Sequence, residues 1–303
     1  MPNHLVWVPA SQRSLLGPVP DDVEVAEIPD DPLADPRIGD VEFLVPRMGA
    51  DYRKILPAMT SLRVVQTISA GVDSIIDSVP EHVVLCCARG ATDPAVSEWT
   101  VAAILSGLHH FAELRDEQVA GRWTRRVATL LRDSTVLFLG YGSIAERTES
   151  LLGAFGPRIL RVARHAREGV AAFDELGSLL PEADVVVLLL PLTDETRKLV
   201  SVDVLSRMRD GALLVNASRG AIVDTDALLQ ELESGRITAV LDVTDPEPPP
   251  DGHPLFSAPG VFITPHVAGI TREGPVAAFR IVTDQLARFS SGEPLLHVVS
   301  DGY

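Results

Sequence analysis

The chain is poor in cysteine, with only two residues, Cys86 and Cys87, side by side. Adjacent cysteines rarely pair with each other. A disulfide framework is therefore excluded, and a reducing, cytoplasmic setting is expected. Their place in the apolar run Val83–Cys87 marks them as buried, inert thiols. No run of 18 apolar residues occurs, which argues against a transmembrane helix and a membrane partner. Met1-Pro2-Asn3-His4 lacks the basic segment and apolar core of a signal peptide. Basic residues are scarce: 26 Lys and Arg stand against 42 Asp and Glu, for a net charge of −16. That field repels a phosphate backbone, so nucleic acid is not an expected partner. The histidines are scattered, and His109-His110 is adjacent rather than spaced i, i+4, so no metal site is expected.

The 303 residues are 46% hydrophobic and 22% charged, which suits a globular protein of two domains. Strands are expected at 4–8, 23–28, 41–45, 63–68 and 83–87, then at 135–140, 158–163, 184–190, 212–216, 238–243 and 261–264. Continuous apolar runs such as Val185–Leu190 suit strands buried on both faces of a parallel sheet. Helix-length segments alternate with them, for instance 143–155, 201–208 and 225–234. The expected fold is two Rossmann-like, doubly wound parallel-sheet α/β domains with an interdomain cleft. A helical stretch at 94–120 separates the two strand series, and a second long helix is expected at 272–290. The domains then read as 1–97 plus 271–303, discontinuous and closing over the substrate, and 98–270, binding the dinucleotide. Segment 18–40, rich in Asp, Glu and Pro, reads as a solvated surface loop.

The strongest local motif follows the strand Thr135–Leu139. It reads Gly140-Tyr141-Gly142-Ser143-Ile144-Ala145 and leads into a helical pattern. This is the G-x-G-x-x-A form of the dinucleotide fingerprint. Gly140 permits the tight turn, Gly142 lets the backbone approach a pyrophosphate, and Ala145 allows close helix–strand packing. Free N–H groups and the helix dipole then favour the anion. The next strand ends in Ala163-Arg164-His165-Ala166-Arg167, with no acid before Glu168. A carboxylate about 20 residues after the loop would bind the ribose hydroxyls of NAD. Guanidinium groups bind a 2′-phosphate instead. NADP is therefore the preferred cofactor, with NAD possible, and Arg164 leads among the contacts with His165 and Arg167 beside it.

Three further segments fall at carboxyl ends of expected strands, where open α/β sheets bind ligands. They are Asn216-Ala217-Ser218-Arg219-Gly220, Asp242–Pro248, and Thr264-Pro265-His266-Val267-Ala268-Gly269. Together they supply an Arg, a Glu and a His. A His can exchange the hydroxyl proton as hydride moves, and a carboxylate beside it fixes its tautomer. An Arg can grip a 2-oxo acid through its carboxylate and carbonyl oxygens.

This set closely resembles the D-isomer-specific 2-hydroxyacid dehydrogenase family, which includes glyoxylate/hydroxypyruvate reductases and phosphoglycerate dehydrogenases. The resemblance runs from Thr67–Asp73 to the last long helix. It implies that Arg219 binds and polarises the substrate, His266 is the acid/base and Glu247 its carboxylate partner. It implies that Asp242 positions the nicotinamide carboxamide, and that the turn Ala70-Gly71-Val72 holds the substrate carboxylate. Pro191 and Thr196 match the family's cofactor-side loop, and Ala217, Ser218, His266 and Gly269 complete the cofactor contacts. Val96-Ser97-Glu98 falls where the family's interdomain helix begins. The segment through Gly121 and Trp123 resembles its dimerisation arm, so a homodimer is implied.

Three departures stand out. Ala145 replaces the third glycine, the ribose-binding acid is absent as in the NADP-using glyoxylate reductase branch, and Thr244-Asp245 replaces an aromatic-led pair. Arg47, beside Met48 and Gly49, reads as a surface residue with a second anion contact as the alternative. The activity implied is NADPH-dependent reduction of a small 2-oxo acid to a D-2-hydroxy acid. Its rivals are an NAD-dependent, phosphoglycerate-like dehydrogenase and, in another class, a dinucleotide-sensing protein-binding module. Glu247 argues against the formate dehydrogenase branch, which uses a neutral amide there.

Overall fold

A computed structural model describes residues 4–299. The chain divides into two compact units, with the boundaries after Thr92 and after Ile270. The first boundary falls ahead of the expected 97/98, because the helix that begins at Asp93 belongs whole to the second unit.

The first unit carries β1 (His4–Val8), β2 (Val23–Glu27), β3 (Val41–Leu44), β4 (Val64–Gln66) and β5 (Val84–Cys86). They form one sheet in the order β2-β1-β3-β4-β5, every pair parallel. Apolar side chains of one face, among them Val6, Phe43 and Val64, pack on Phe279, Val282 and Leu286 of the long helix Gly274–Ser291. Trp7, Leu44 and Val65 face the other way, onto Tyr52, Leu56 and Met59. The crossovers here differ from the expected helices. They are short 3-10 turns, such as Ala10–Leu15, Leu56–Ala58 and Ile76–Ser78. Prolines at 9, 18, 20, 29, 32, 36, 46, 57 and 80 deny the connecting segments a full helix. Burial pushes the Cys86 thiol up to about 11, and Cys87 is buried beside it, so neither is a ready nucleophile.

The C-terminal stretch returns to this sheet. Val298 bridges Cys86 antiparallel, and Val299 N–H donates to Leu85 O. Gln285, fully buried on the long helix, donates to Gln66 Oε1 and Leu296 O and accepts from Leu296 N–H. That satisfied buried amide ties the helix to both the sheet and the returning chain.

The second unit begins with α1 (Asp93–Leu108) and α2 (Phe111–Val119). The single helical stretch expected at 94–120 is thus broken, at His109-His110, where His110 takes the left-handed conformation. Then follow β6 (Thr135–Leu139), α3 (Ser143–Leu152), β7 (Arg158–Ala163), β8 (Ala171–Ala172), α4 (Leu176–Leu179), β9 (Val185–Leu188), α5 (Val202–Arg207), β10 (Leu213–Asn216), α6 (Thr225–Glu233), β11 (Thr238–Leu241) and β12 (Val261–Ile263). The long helix of the first unit is α7. The sheet order is β12-β11-β10-β9-β6-β7-β8, all parallel. Strands β9 and β10 are buried at every residue, as their unbroken apolar runs require. The order reverses between β6 and β9, and such a switch point opens the crevice where doubly wound sheets bind ligands. Among the described residues no helix is long and apolar enough to cross a membrane.

Candidate active site

The phosphate loop sits at the switch point. Gly140 directly follows β6 with φ +93°, and a Cβ there would meet Leu189 O at 2.6 Å, so only glycine fits. Gly142 is the N-cap of α3 with no side-chain cap, and a Cβ on it would touch nothing within 4 Å. Tyr141, Ser143 and Ile144 complete the turn, and fully buried Ala145 packs the helix onto the sheet. An uncapped helix N-terminus beside an open glycine face fits a pyrophosphate. The residues present therefore match a dinucleotide.

The basic turn follows β7. Arg161 makes two hydrogen bonds to Glu149 on α3, and Tyr141 Oη donates to the same carboxylate at 2.6 Å. The Arg161 guanidinium holds the Glu149 carboxyl below its ordinary value, while burial and Glu149 push the Tyr141 phenol up. Arg167 donates to Tyr141 O and lies over the Tyr141 ring, 5.6 Å from its centroid. Arg164 pairs with Glu195 at 2.9 Å, and His165 is exposed next to it. Pro191 and Thr196 lie in the loop after β9. Thr196, buried, closes that loop by donating to Pro191 O at 2.7 Å and accepting from Thr193 N–H at 2.8 Å.

The loop after β10 carries Ala217, Ser218 and Arg219. Its organiser is Asn216, 1% exposed. Asn216 Oδ1 accepts from Ser218 N–H at 3.0 Å and from Ser218 Oγ at 2.7 Å, and Nδ2 donates to Arg219 O at 3.1 Å. Gly220 follows in a place with no room, since a Cβ would fall 1.9 Å from Thr244 O. This glycine brings the Arg219 loop against the segment that leads to Glu247.

Asp242 directly follows β11 and is 2% exposed. Its Oδ1 accepts from Thr264 Oγ1 at 2.6 Å and Val267 N–H at 2.8 Å, and its Oδ2 accepts from Ala268 N–H at 2.9 Å. Its backbone oxygen accepts from His266 N–H at 2.8 Å. The Asp242 carboxylate thus takes three hydrogen bonds from the loop after β12, and its backbone oxygen holds His266, whose φ is +53°. The left-handed backbone is a strained place for a side-chain-bearing residue, and the clamp stabilises it. Gly269 lies just beyond. His266 Nδ1 meets Glu247 Oε1 at 2.6 Å, with the two side chains 48% and 38% exposed.

The second unit therefore gathers Arg219, Glu247, His266, Asp242 and the phosphate loop at the carboxyl ends of neighbouring parallel strands. Ala70, Gly71 and Val72 lie in the first unit, in the turn after β4, where Ser69 Oγ donates to Gly71 O at 2.6 Å. Arg47 is turned away from anion duty. Its guanidinium donates to the carbonyls of Ile28 and Pro29 and stands 4.0 Å from Asp30. Reading for single functional residues missed Asn216, Gly220, Glu149 and Glu195. Asn216 and Gly220 stood within a quoted motif, whereas nothing local marks Glu149 or Glu195. Among the described residues no cluster of His, Cys, Asp or Glu could hold a metal ion.

A dinucleotide-binding sheet with a paired His and carboxylate beside an Arg loop defines a nicotinamide-dependent oxidoreductase. Comparison with known proteins narrows the class. The family described as D-isomer specific 2-hydroxyacid dehydrogenase, NAD binding domain, matches residues 101–268. The chain belongs to the D-isomer specific 2-hydroxyacid dehydrogenase family. It is similar to the glyoxylate reductase of Aeropyrum pernix, 33% identical over 256 residues, covering 79% of this chain and 76% of that one. It is also similar to the D-3-phosphoglycerate dehydrogenase of Methanocaldococcus jannaschii, 30% identical over 276 residues, covering 87% of this chain and about half, 52%, of that one. Among solved structures, the family member from Xanthobacter autotrophicus Py2 in complex with NADPH and MES superposes with a TM-score of 0.85 at 27% identity, all of both chains covered. The protein is an NAD(P)-dependent D-2-hydroxyacid dehydrogenase.

Proposed function

We propose that the protein reduces a small 2-oxo acid, of the glyoxylate or hydroxypyruvate kind, to the D-2-hydroxy acid with NADPH. The observation that carries this is the 2.6 Å contact between His266 Nδ1 and Glu247 Oε1. Glu247 accepts from Nδ1–H and leaves Nε2 to exchange a proton with the substrate oxygen. A reduced nicotinamide held there would supply the hydride. Arg219 grips the substrate's carboxylate and carbonyl oxygens, which polarises the carbonyl and orients the carbon. Within the first unit, the turn Ala70-Gly71-Val72 is read as a carboxylate-binding turn through its N–H groups.

Tyr141, Gly142, Ser143 and Ile144 receive the pyrophosphate. Arg164, with His165 and Arg167, receives the 2′-phosphate. Pro191, Thr196, Ala217, Ser218 and Gly269 line the nicotinamide side. Asp242 acts on the cofactor side chiefly by holding the His266 loop, since three of its acceptor positions are already taken. The protein works as a cytoplasmic homodimer through the segment around Gly121 and Trp123, where Trp123 is 94% exposed.

The test is oxidation of NADPH against NADH by the purified protein over a panel headed by glyoxylate, hydroxypyruvate and phosphohydroxypyruvate. Turnover of the unphosphorylated acids with NADPH is expected. Preference for phosphohydroxypyruvate with NADH overturns the proposal. His266→Ala is expected to lower kcat by a factor on the order of 10² to 10⁴ while cofactor binding persists. Near-normal turnover in that variant removes His266 from the acid/base role.

A further inference from the structure

Three arginines surround the phosphate loop, and they are not equally available. Arg161 is spoken for by its double hydrogen bond to Glu149 in a partly buried network with Tyr141. Arg167 is fastened to the loop itself, through Tyr141 O and the Tyr141 ring. Arg164 alone of the three has an exposed carboxylate as its partner, Glu195, at 2.9 Å, with the two side chains 48% and 62% exposed. The two residues leave β7 and β9, the strands on either side of β6, so their ion pair joins the loops that flank the phosphate loop.

We propose that Glu195 is a cofactor-selecting residue. Its carboxylate competes with the 2′-phosphate of NADPH for Arg164 and leaves NADH untaxed. The proposal rests on the reading of Arg164 as the 2′-phosphate contact. A phosphate dianion seated on the Arg164 fork must displace Glu195 Oε1 and stay near a like charge. A cofactor with a free 2′-hydroxyl needs neither change. Sequence spacing could not show this, because the carboxylate comes from a different strand, 31 residues further along the chain. An exposed ion pair of this kind shifts an equilibrium by at most about fivefold. Glu195 therefore trims the preference for NADPH and does not reverse it.

The experiment measures dissociation constants of NADPH, NADH and adenosine 2′,5′-bisphosphate by calorimetric titration, without substrate, for the wild-type protein, Glu195→Gln, Glu195→Lys and Arg164→Ala. Glu195→Gln is expected to tighten NADPH and the bisphosphate about threefold and to leave NADH where it is. Glu195→Lys is expected to move both phosphorylated ligands further in the same direction. If Glu195→Gln shifts NADPH and NADH alike, or leaves NADPH unmoved while Arg164→Ala weakens it selectively, the role of Glu195 is overturned. If Arg164→Ala leaves the NADPH-to-NADH ratio unchanged, the 2′-phosphate reading falls first, and the role of Glu195 with it.

Discussion

Two corners of the second unit hold their residues by opposite means. At the acid/base corner, buried Asn216 and Asp242 fix the Arg219 and His266 loops through seven hydrogen bonds, counting the one to the Asp242 backbone oxygen. At the basic corner, Arg161, Arg164 and Arg167 are held by a half-buried network, an exposed ion pair and a stacked tyrosine. Buried hydrogen bonds are costly to break and define one geometry. Exposed charge pairs exchange partners at little cost. The acid/base role proposed for His266 demands the first kind, because a displaced proton carrier loses rate steeply. Recognition of a phosphate can use the second, because the ligand supplies the charge that completes the site.

The sharpest way to break this contrast is at the place where the acid/base corner has no slack. Gly220→Ala places a Cβ against Thr244 O. The two loops must part, and a loss of about 2–3 kcal/mol in stability is expected, with kcat falling at least tenfold. Denaturant unfolding and steady-state kinetics check both, and a variant as stable and as active as the parent removes the close approach from the design.

Asp242→Asn comes next. The amide keeps the shape but turns one acceptor into a donor, so a loop N–H loses its partner. A loss of about 1–3 kcal/mol is expected, with kcat lowered more than the cofactor dissociation constant is raised. The opposite split, in which cofactor affinity collapses and kcat survives, would return Asp242 to a direct nicotinamide contact.

The smallest effect belongs to the basic corner. Arg161 depresses the Glu149 pKa below its ordinary 4.5, so this carboxylate adds stability above that pH and loses it as pH falls through the folded value. Glu149→Gln should therefore lower Tm modestly at pH 7, with the difference from the parent shrinking below pH 4.5. A difference that is flat from pH 3 to about pH 7 would contradict the ion pair's role.

The sequence makes the strands and the chemistry-bearing motifs readable for a physical reason. Buried parallel strands are continuous apolar runs, and the loops at their carboxyl ends start where those runs stop. The phosphate loop was readable because Gly140 answers a backbone demand that no other residue meets and Gly142 leaves the helix N-terminus open. Contacts across the sheet were not readable. Glu195 reaches Arg164 from another strand, and Arg47 turns to the carbonyls of Ile28 and Pro29. Short elements escaped as well: β8 spans two alanines with no periodic signal, and the break between α1 and α2 turns on one left-handed histidine. In the first unit, the helix-length gaps between strands hid proline-interrupted turns.

The return of the chain to β5 also orders events in time. The central unit, Asp93–Ile270, is complete once residue 270 has left the ribosome. The first unit lacks α7 and the edge contacts of Val298 and Val299 until the chain has been made as far as Val299. Its β5 edge therefore stands open while the whole of Asp93–Ile270 is made, and an open parallel edge is an invitation to mispairing. The two-residue clasp on Leu85 and Cys86 is thus the step that seals the sheet, and chains truncated ahead of Leu296 are the ones that would aggregate.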